Sequence, residues 1–180
     1  MNLLELARSI GVEGFLEVDE LEKLVELAAG RWVLEVGSYR GLSAWGMAIS
    51  AKHVTCIDTF KACSNGQRQE NGFTTLEPFL DATRRFRNVS PITTSSEVAE
   101  PSFIDDGECF DMIFLDAMHT YEDVKADINR WWTHLKPGGV FVMHDYRHWD
   151  FPGVEQAADE IFGPAPEGTT IGTLRWIEKP

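Results

Sequence analysis

FDMIFLDAMHTYEDVKADINRWWTHLKPGGVFVMHDY, residues 110 to 146, decides how the rest of the chain is read. An apolar run, residues 112 to 115, stops at Asp116, and a second, residues 140 to 143, stops at His144 and Asp145. Between them Val124, Ile128, Trp131 and Leu135 recur at the spacing of one helical face. Thr120 with Asp123 three residues on reads as a capping box, and Lys136-Pro137-Gly138-Gly139 as the stop of the helix. Strand, helix and strand in that order require parallel strands joined by a right-handed crossover. Open parallel sheets bind ligands at the carboxyl ends of their strands. Asp116, His119, His144 and Asp145 are therefore expected at one spot.

Outward from this unit the chain alternates in the same way. Toward the N-terminus, residues 32 to 36 read as a buried strand that runs straight into Gly37-Ser38-Tyr39-Arg40-Gly41. A helix with Leu42, Trp45 and Ile49 inward follows, then a second buried strand, residues 53 to 57, ending in Asp58. Residues 3 to 10 predict a short helix, and Asp19 caps a clearer one with Leu21, Leu24, Val25 and Ala28 on one face. Residues 59 to 75 are polar with Asn-Gly turn signals, a loop long enough to act as a lid over a site, above all residues 64 to 72. Leu76, Phe79, Leu80, Thr83 and Phe86 predict a helix, residues 91 to 94 a weak strand and residues 97 to 103 a short irregular or helical piece. Val154, Ala157, Ala158 and Ile161 predict a last helix closed by Gly163-Pro164, and residues 170 to 178 a terminal strand or hairpin. With no helix after it, that strand should insert antiparallel. The sum is a doubly wound α/β domain, mostly parallel and Rossmann-like. It spans 1–180 as one unit, with 1–30 an N-terminal helical segment and 31–180 the core.

At 180 residues, 43% hydrophobic and 25% charged, the chain can bury a proper core. A net charge of −13 argues against nucleic acid, whose phosphates call for a basic face. No apolar run reaches the roughly 20 residues of a membrane span, and the N-terminus lacks the pattern of a signal peptide. Cys56, Cys63 and Cys109 show no metal-like spacing and are read as reduced thiols of a cytoplasmic protein. Oligomeric state stays open, a homo-oligomer included.

Two strand ends carry the chemistry of a nucleoside ligand. In Glu35-Val-Gly37-Ser-Tyr39-Arg-Gly41 the glycines permit a tight turn and a close ligand. A dinucleotide turn would need glycine where Tyr39 and Leu42 stand, and Glu35 beside it repels pyrophosphate. An acid there suits a cation, such as the amino group of a methionine moiety. Asp58, at the end of the next strand, is placed to accept from ribose hydroxyls; a lone strand-end acid could as well cap a helix, but beside this glycine turn the ligand role is favoured. His119 and His144 likewise have plainer readings, a backbone-bonded ring and a packed strand-end ring.

VLEVGSYRG, CIDTF and the long stretch quoted first resemble the class I S-adenosylmethionine-dependent methyltransferases. More narrowly they are similar to small-molecule O-methyltransferases of the macrolide-sugar and cephalosporin-biosynthesis type, over roughly residues 13 to 147. The resemblance implies a seven-stranded sheet with an antiparallel C-terminal strand. It implies that Glu35, Gly37, Ser38 and Gly41, with Tyr39 beside them, hold the methionine part of S-adenosylmethionine. Asp58 with Thr59 would hold the ribose, Ser95 or Ser96 would lie against adenine, and Asp116 would border the cofactor. Asp116 and the pair His144-Asp145 occupy the positions of metal ligands, and His119, with Asp116, those of the catalytic groups. The pair departs from the family pattern in having His144 for a carboxylate, which shifts the choice from Mg²⁺ toward Mn²⁺ or a softer ion, or leaves metal weak or absent. The implied reaction is methyl transfer to a small-molecule acceptor, a hydroxyl oxygen before a nitrogen. A nucleoside-binding module without catalysis and a nicotinamide oxidoreductase are the alternatives.

Overall fold

The structure, a computed structural model, describes residues 1–61, 63–64, 67–68, 74–106 and 109–180. Strands β1 (Trp32–Val36), β2 (His53–Asp58), β3 (Val89–Thr93), β4 (Phe110–Leu115) and β5 (Leu135–Met143) alternate with helices. The chain opens with helices α1 (Leu3–Ser9) and α2 (Val18–Ala28). Helix α3 (Leu42–Ala48) joins β1 to β2, α4 (Leu76–Thr83) precedes β3, and α5 (Ser96–Ala99) with the 3₁₀ turn Glu100–Asp106 leads toward β4. Helix α6 (Tyr121–Trp132) makes the crossover to β5. Helix α7 (Pro152–Phe162) then leads to the hairpin of β6 (Thr170–Ile171) and β7 (Leu174–Glu178).

These seven strands form one sheet in the order β3-β2-β1-β4-β5-β7-β6. Strands β1 to β5 pair in parallel, while β7 lies antiparallel against β5 and β6 against β7, as the terminal strand was expected to do. Side chains alternate across the strands, so each face builds its own core. Val33, Cys56, Phe114 and Val142 pack under α1 to α4, and Leu34, Ile57, Ile113 and Phe141 under α5 to α7. Strand order reverses between β1 and β4, so the switch point lies at Val36 and Leu115.

Several local readings change. Helix α2 begins at Val18 behind Glu17, whose N–H is met by the Glu20 carboxylate, so Asp19 lies inside the helix rather than capping it. Helix α6 ends at Trp132, and Leu135 with Lys136-Pro137-Gly138-Gly139 belongs to β5. Leu135 matched the helical period because the first residue of β5 buries into the same core as Ile128 and Trp131. Ile49 and Leu80 face outward, 46% and 45% exposed. Cys56 is a buried free thiol. The lid expected over residues 64 to 72 lies, but for a two-residue hairpin at Cys63–Ser64 and Gln67–Arg68, outside the described residues. No helix among the described residues is long and apolar enough to cross a membrane.

Candidate active site

The turn after β1 is built against the end of β4. Gly37 has φ +91°, and a Cβ there would sit 2.0 Å from the carbonyl oxygen of Asp116. Only glycine fits, because the position is left-handed and a second backbone passes through the space of a side chain. Tyr39 is held at φ 46° and Gly41 at φ 89°, which starts α3. Asp58 stitches this strained turn from the neighbouring strand. Its Oδ2 accepts from the backbone N–H of Ser38 and of Tyr39, each at 2.8 Å, and its Oδ1 from Phe60 N–H at 2.6 Å. A carboxylate has about four acceptor positions. Asp58 therefore pins the turn and keeps room for one further donor.

Glu35 stands directly beneath the turn. It pairs in register with Cys56, is 0% exposed, and takes hydrogen bonds from the hydroxyls of Ser38 and Ser43. Burial pushes its carboxyl up to about 7, against the lowering by Ser38, Ser43 and Cys56. The expected acid open to a cationic ligand is thus a buried support, and Ser38 has its hydroxyl turned inward onto it. Ser96 is likewise committed, accepting from Trp131 Nε1 at 2.7 Å and donating to Asp127 at 2.6 Å. Ser95 precedes α5 in extended conformation, and Thr59 Oγ1 accepts from Lys61 N–H.

Beside the turn, the four polar residues from the ends of β4 and β5 converge as expected. Asp145 sits at φ 58°, a left-handed conformation that a non-glycine residue keeps only under constraint. Its Oδ2 lies 2.8 Å from His119 Nε2, out of line with the N–H, so the contact is ionic rather than a directed hydrogen bond. His119 Nε2 is 3.8 Å from Asp116 Oδ1. His144 Nδ1 is 3.4 Å from Asp116 Oδ1 and 3.5 Å from Asp145 Oδ2. Burial alone would lower His119, but Asp116 and Asp145 outweigh it and raise the ring to about 9. The same balance raises His144 further, through Asp116, Asp145 and Glu20. Burial raises Asp116, yet His144 and His119 hold it far below the usual carboxylate range.

Two further neighbours border this cluster, the first of them hidden in the sequence. Glu20 reaches in from α2, 2% exposed, with Oε2 3.4 Å from His144 Nε2. No local pattern links positions 124 residues apart, and the spacing from Glu17 marks residue 20 only as a cap. The second is a stack: His119 lies on Phe151 at 4.2 Å, Phe151 near His148 at 5.0 Å, and His148 near Trp149 at 6.0 Å. Phe151 and His148 thus adjoin the cluster. Tyr146 does not, being buried with its hydroxyl on Asp159 under Arg175.

Donor atoms of Asp116, His144 and Asp145 lie within 4.8 Å of one another. Two carboxylates and an imidazole, whose other nitrogen faces a further carboxylate, fit a divalent ion and favour a transition metal over Mg²⁺.

A family model described as a methyltransferase domain matches residues 34–146. Among curated proteins nothing matches the chain. Solved structures match across most of it. The O-methyltransferase from Bacillus cereus in complex with SAH is 16% identical, with TM-score 0.65, over 98% of this chain and 89% of that one. Cofactor-bound Rv0187 from MTB is 18% identical, with TM-score 0.67, over 97% and 86%. The calicheamicin methyltransferase CalS11 is 14% identical, with TM-score 0.62, over 89% and 76%. At these identities the likeness establishes the fold, the Rossmann-like one that all three share.

Proposed function

Since the chain belongs to the methyltransferase-domain family, we propose that it moves a methyl group from S-adenosylmethionine to a hydroxyl oxygen of a small molecule, with a divalent ion assisting. The observation that carries this reading is the meeting of Asp116, His119, His144 and Asp145 beside the Gly37 turn. Family membership favours methyl over hydride transfer, and four titratable side chains in one place have no structural need to be there. That two neighbours of the fold are an O-methyltransferase and a methyltransferase of calicheamicin supports oxygen in a small molecule as the target.

The sulfonium is already an electrophile, so the protein has chiefly to align donor and acceptor and to keep water away. Gly37 and Gly41 let the donor approach the backbone, and Asp58 keeps an acceptor position for a ribose hydroxyl. The acceptor hydroxyl must lose its proton. His119 is the residue placed to take it, but between Asp116 and Asp145 it is itself protonated at neutral pH, with its pKa raised to about 9. A divalent ion held by Asp116, His144 and Asp145 would offset that carboxylate charge and favour the deprotonated acceptor. His119 would then return toward its ordinary range and could serve as base, kept in orientation by Phe151.

The test is transfer of labelled methyl from S-adenosylmethionine to a panel of hydroxyl and amine acceptors. Turnover on hydroxyls that falls after chelation and returns with added Mn²⁺ supports the reading. Binding of S-adenosylhomocysteine with no transfer to any acceptor would leave a binding module instead.

A further inference from the structure

Glu20 lies outside the residues 34–146 that match the family, yet its carboxyl is 2% exposed and engaged on every side. Oε1 accepts from the backbone N–H of Thr173 at 2.6 Å and from its hydroxyl at 2.9 Å. Oε2 accepts from Glu17 N–H at 2.9 Å and faces His144 Nε2 at 3.4 Å. The β6–β7 turn is shaped around this group: Gly172 has φ +55°, and a Cβ there would stand 2.4 Å from Glu20 Oε1. A capping carboxylate gains nothing from burial, since the N–H of Glu17 can be met at the surface. What burial achieves is contact with His144, whose other nitrogen, Nδ1, faces Asp116 and Asp145.

A metal-ligating histidine donates its second ring N–H to a carboxylate, which fixes the tautomer and the orientation of the ring. We propose that Glu20 is the positioning residue of this site: it takes Nε2–H of His144 and so presents Nδ1, together with Asp116 and Asp145, to a divalent ion. The inference rests on the divalent-ion part of the function proposed above. Glu20 touches neither ion nor acceptor and acts through His144, while Thr173 holds Glu20. The segments on either side of the matched core, α2 and the terminal hairpin, thereby complete the site inside it.

The experiment titrates Co²⁺ into the full chain, reading heat and the visible absorption of the bound ion, for wild type, Glu20→Gln and Thr173→Ala. Each variant is also titrated with S-adenosylhomocysteine and melted in chelator. Glutamine keeps the volume and an oxygen for Thr173, but brings an amide N–H toward Nε2. We expect Glu20→Gln to lose roughly 10–100-fold in Co²⁺ affinity with an altered spectrum, at unchanged S-adenosylhomocysteine affinity. Thr173→Ala should weaken Co²⁺ in the same direction by a smaller factor. Equal Co²⁺ affinity in wild type and Glu20→Gln overturns the inference alone, as does an equal fall in both ligands, which marks general damage. A wild type that takes no Co²⁺ overturns the divalent-ion reading along with it. If Glu20→Gln does not fold, Thr173→Ala decides, and unchanged Co²⁺ affinity there overturns the assignment.

Discussion

At Asp58 three backbone N–H groups, those of Ser38, Tyr39 and Phe60, meet on one carboxylate, and replacing it unstitches the glycine turn as well as removing a ligand acceptor. Hydrogen bonds to a charged group contribute about 1.5–3 kcal/mol each. Asp58→Ala should therefore lose at least about tenfold in S-adenosylhomocysteine affinity, read by calorimetry, and also melt at lower temperature. Unchanged affinity would move the donor away from β2. Glu35 makes a prediction of a different kind. Its folded pKa is raised from 4.5 to about 7, so the folded chain keeps a proton that the unfolded chain has released. Its contribution to stability is present below the unfolded value and is lost as pH rises toward 7. At 1.36 kcal/mol per unit the loss is about 3 kcal/mol. Glu35→Gln removes this slope, so its stability relative to wild type, from urea melts at pH 5 and pH 8, should improve by up to that amount. Parallel pH profiles of the two proteins would show that burial does not set this carboxyl.

Between elements, the close crossing of the β1–α3 turn over the end of β4 is the tightest constraint on the site. Gly37→Ala puts a methyl group where Asp116 carries its carbonyl oxygen, in a left-handed conformation that alanine avoids. Strain of about 1 kcal/mol and overpacking of 1–3 kcal/mol predict a loss of about 2–4 kcal/mol by chemical denaturation. A wild-type midpoint in that variant would mean that the turn relaxes freely and does not fix Asp116. The elements that place this crossing were the legible ones. β1, β2, β4 and β5 are buried on both faces, so each reads as an apolar run stopped by a polar residue at the ligand edge. What the sequence hides is where periodicities overlap or partners are remote. Leu135 continues the helical spacing of α6 only because strand and helix bury into one core, and Ile49 and Leu80 repeat a period past the contact that made it matter. Glu35 and Glu20 show the remote case. An acid at the right spacing looks the same whether its oxygens face a ligand or the hydroxyls of Ser38 and Ser43, and nothing near residue 20 announces His144.

Taken over the whole molecule, the cluster offsets its charges by bringing two rings among three acids from four parts of the chain: α2, the end of β4, the approach to α6 and the end of β5. The balance sets how activity should follow pH. From its ordinary value His119 would lose activity only below about 6.5. Asp116 and Asp145 instead raise it to about 9, so in chelated enzyme the basic form grows across the range from 7 to 9. Any turnover that remains after chelation should rise with pH toward 9. A cation among the carboxylates removes the cause of that shift, so addition of Mn²⁺ should move the inflection to lower pH and raise the rate at 7. His119→Ala should abolish the pH-dependent part in both conditions, leaving at most a flat residue, since general-base catalysis is worth about 10²–10⁴-fold. Glu20, Asp116 and Asp145 remain ionised and His144 protonated throughout this range, so in chelated enzyme His119 is the group of the cluster whose change of charge the profile follows. The measurement is kcat/KM from pH 6 to 9.5 for wild type and His119→Ala, chelated and with Mn²⁺. An inflection that stays in place when Mn²⁺ is added, or one that survives in His119→Ala, would detach the proton transfer from this cluster.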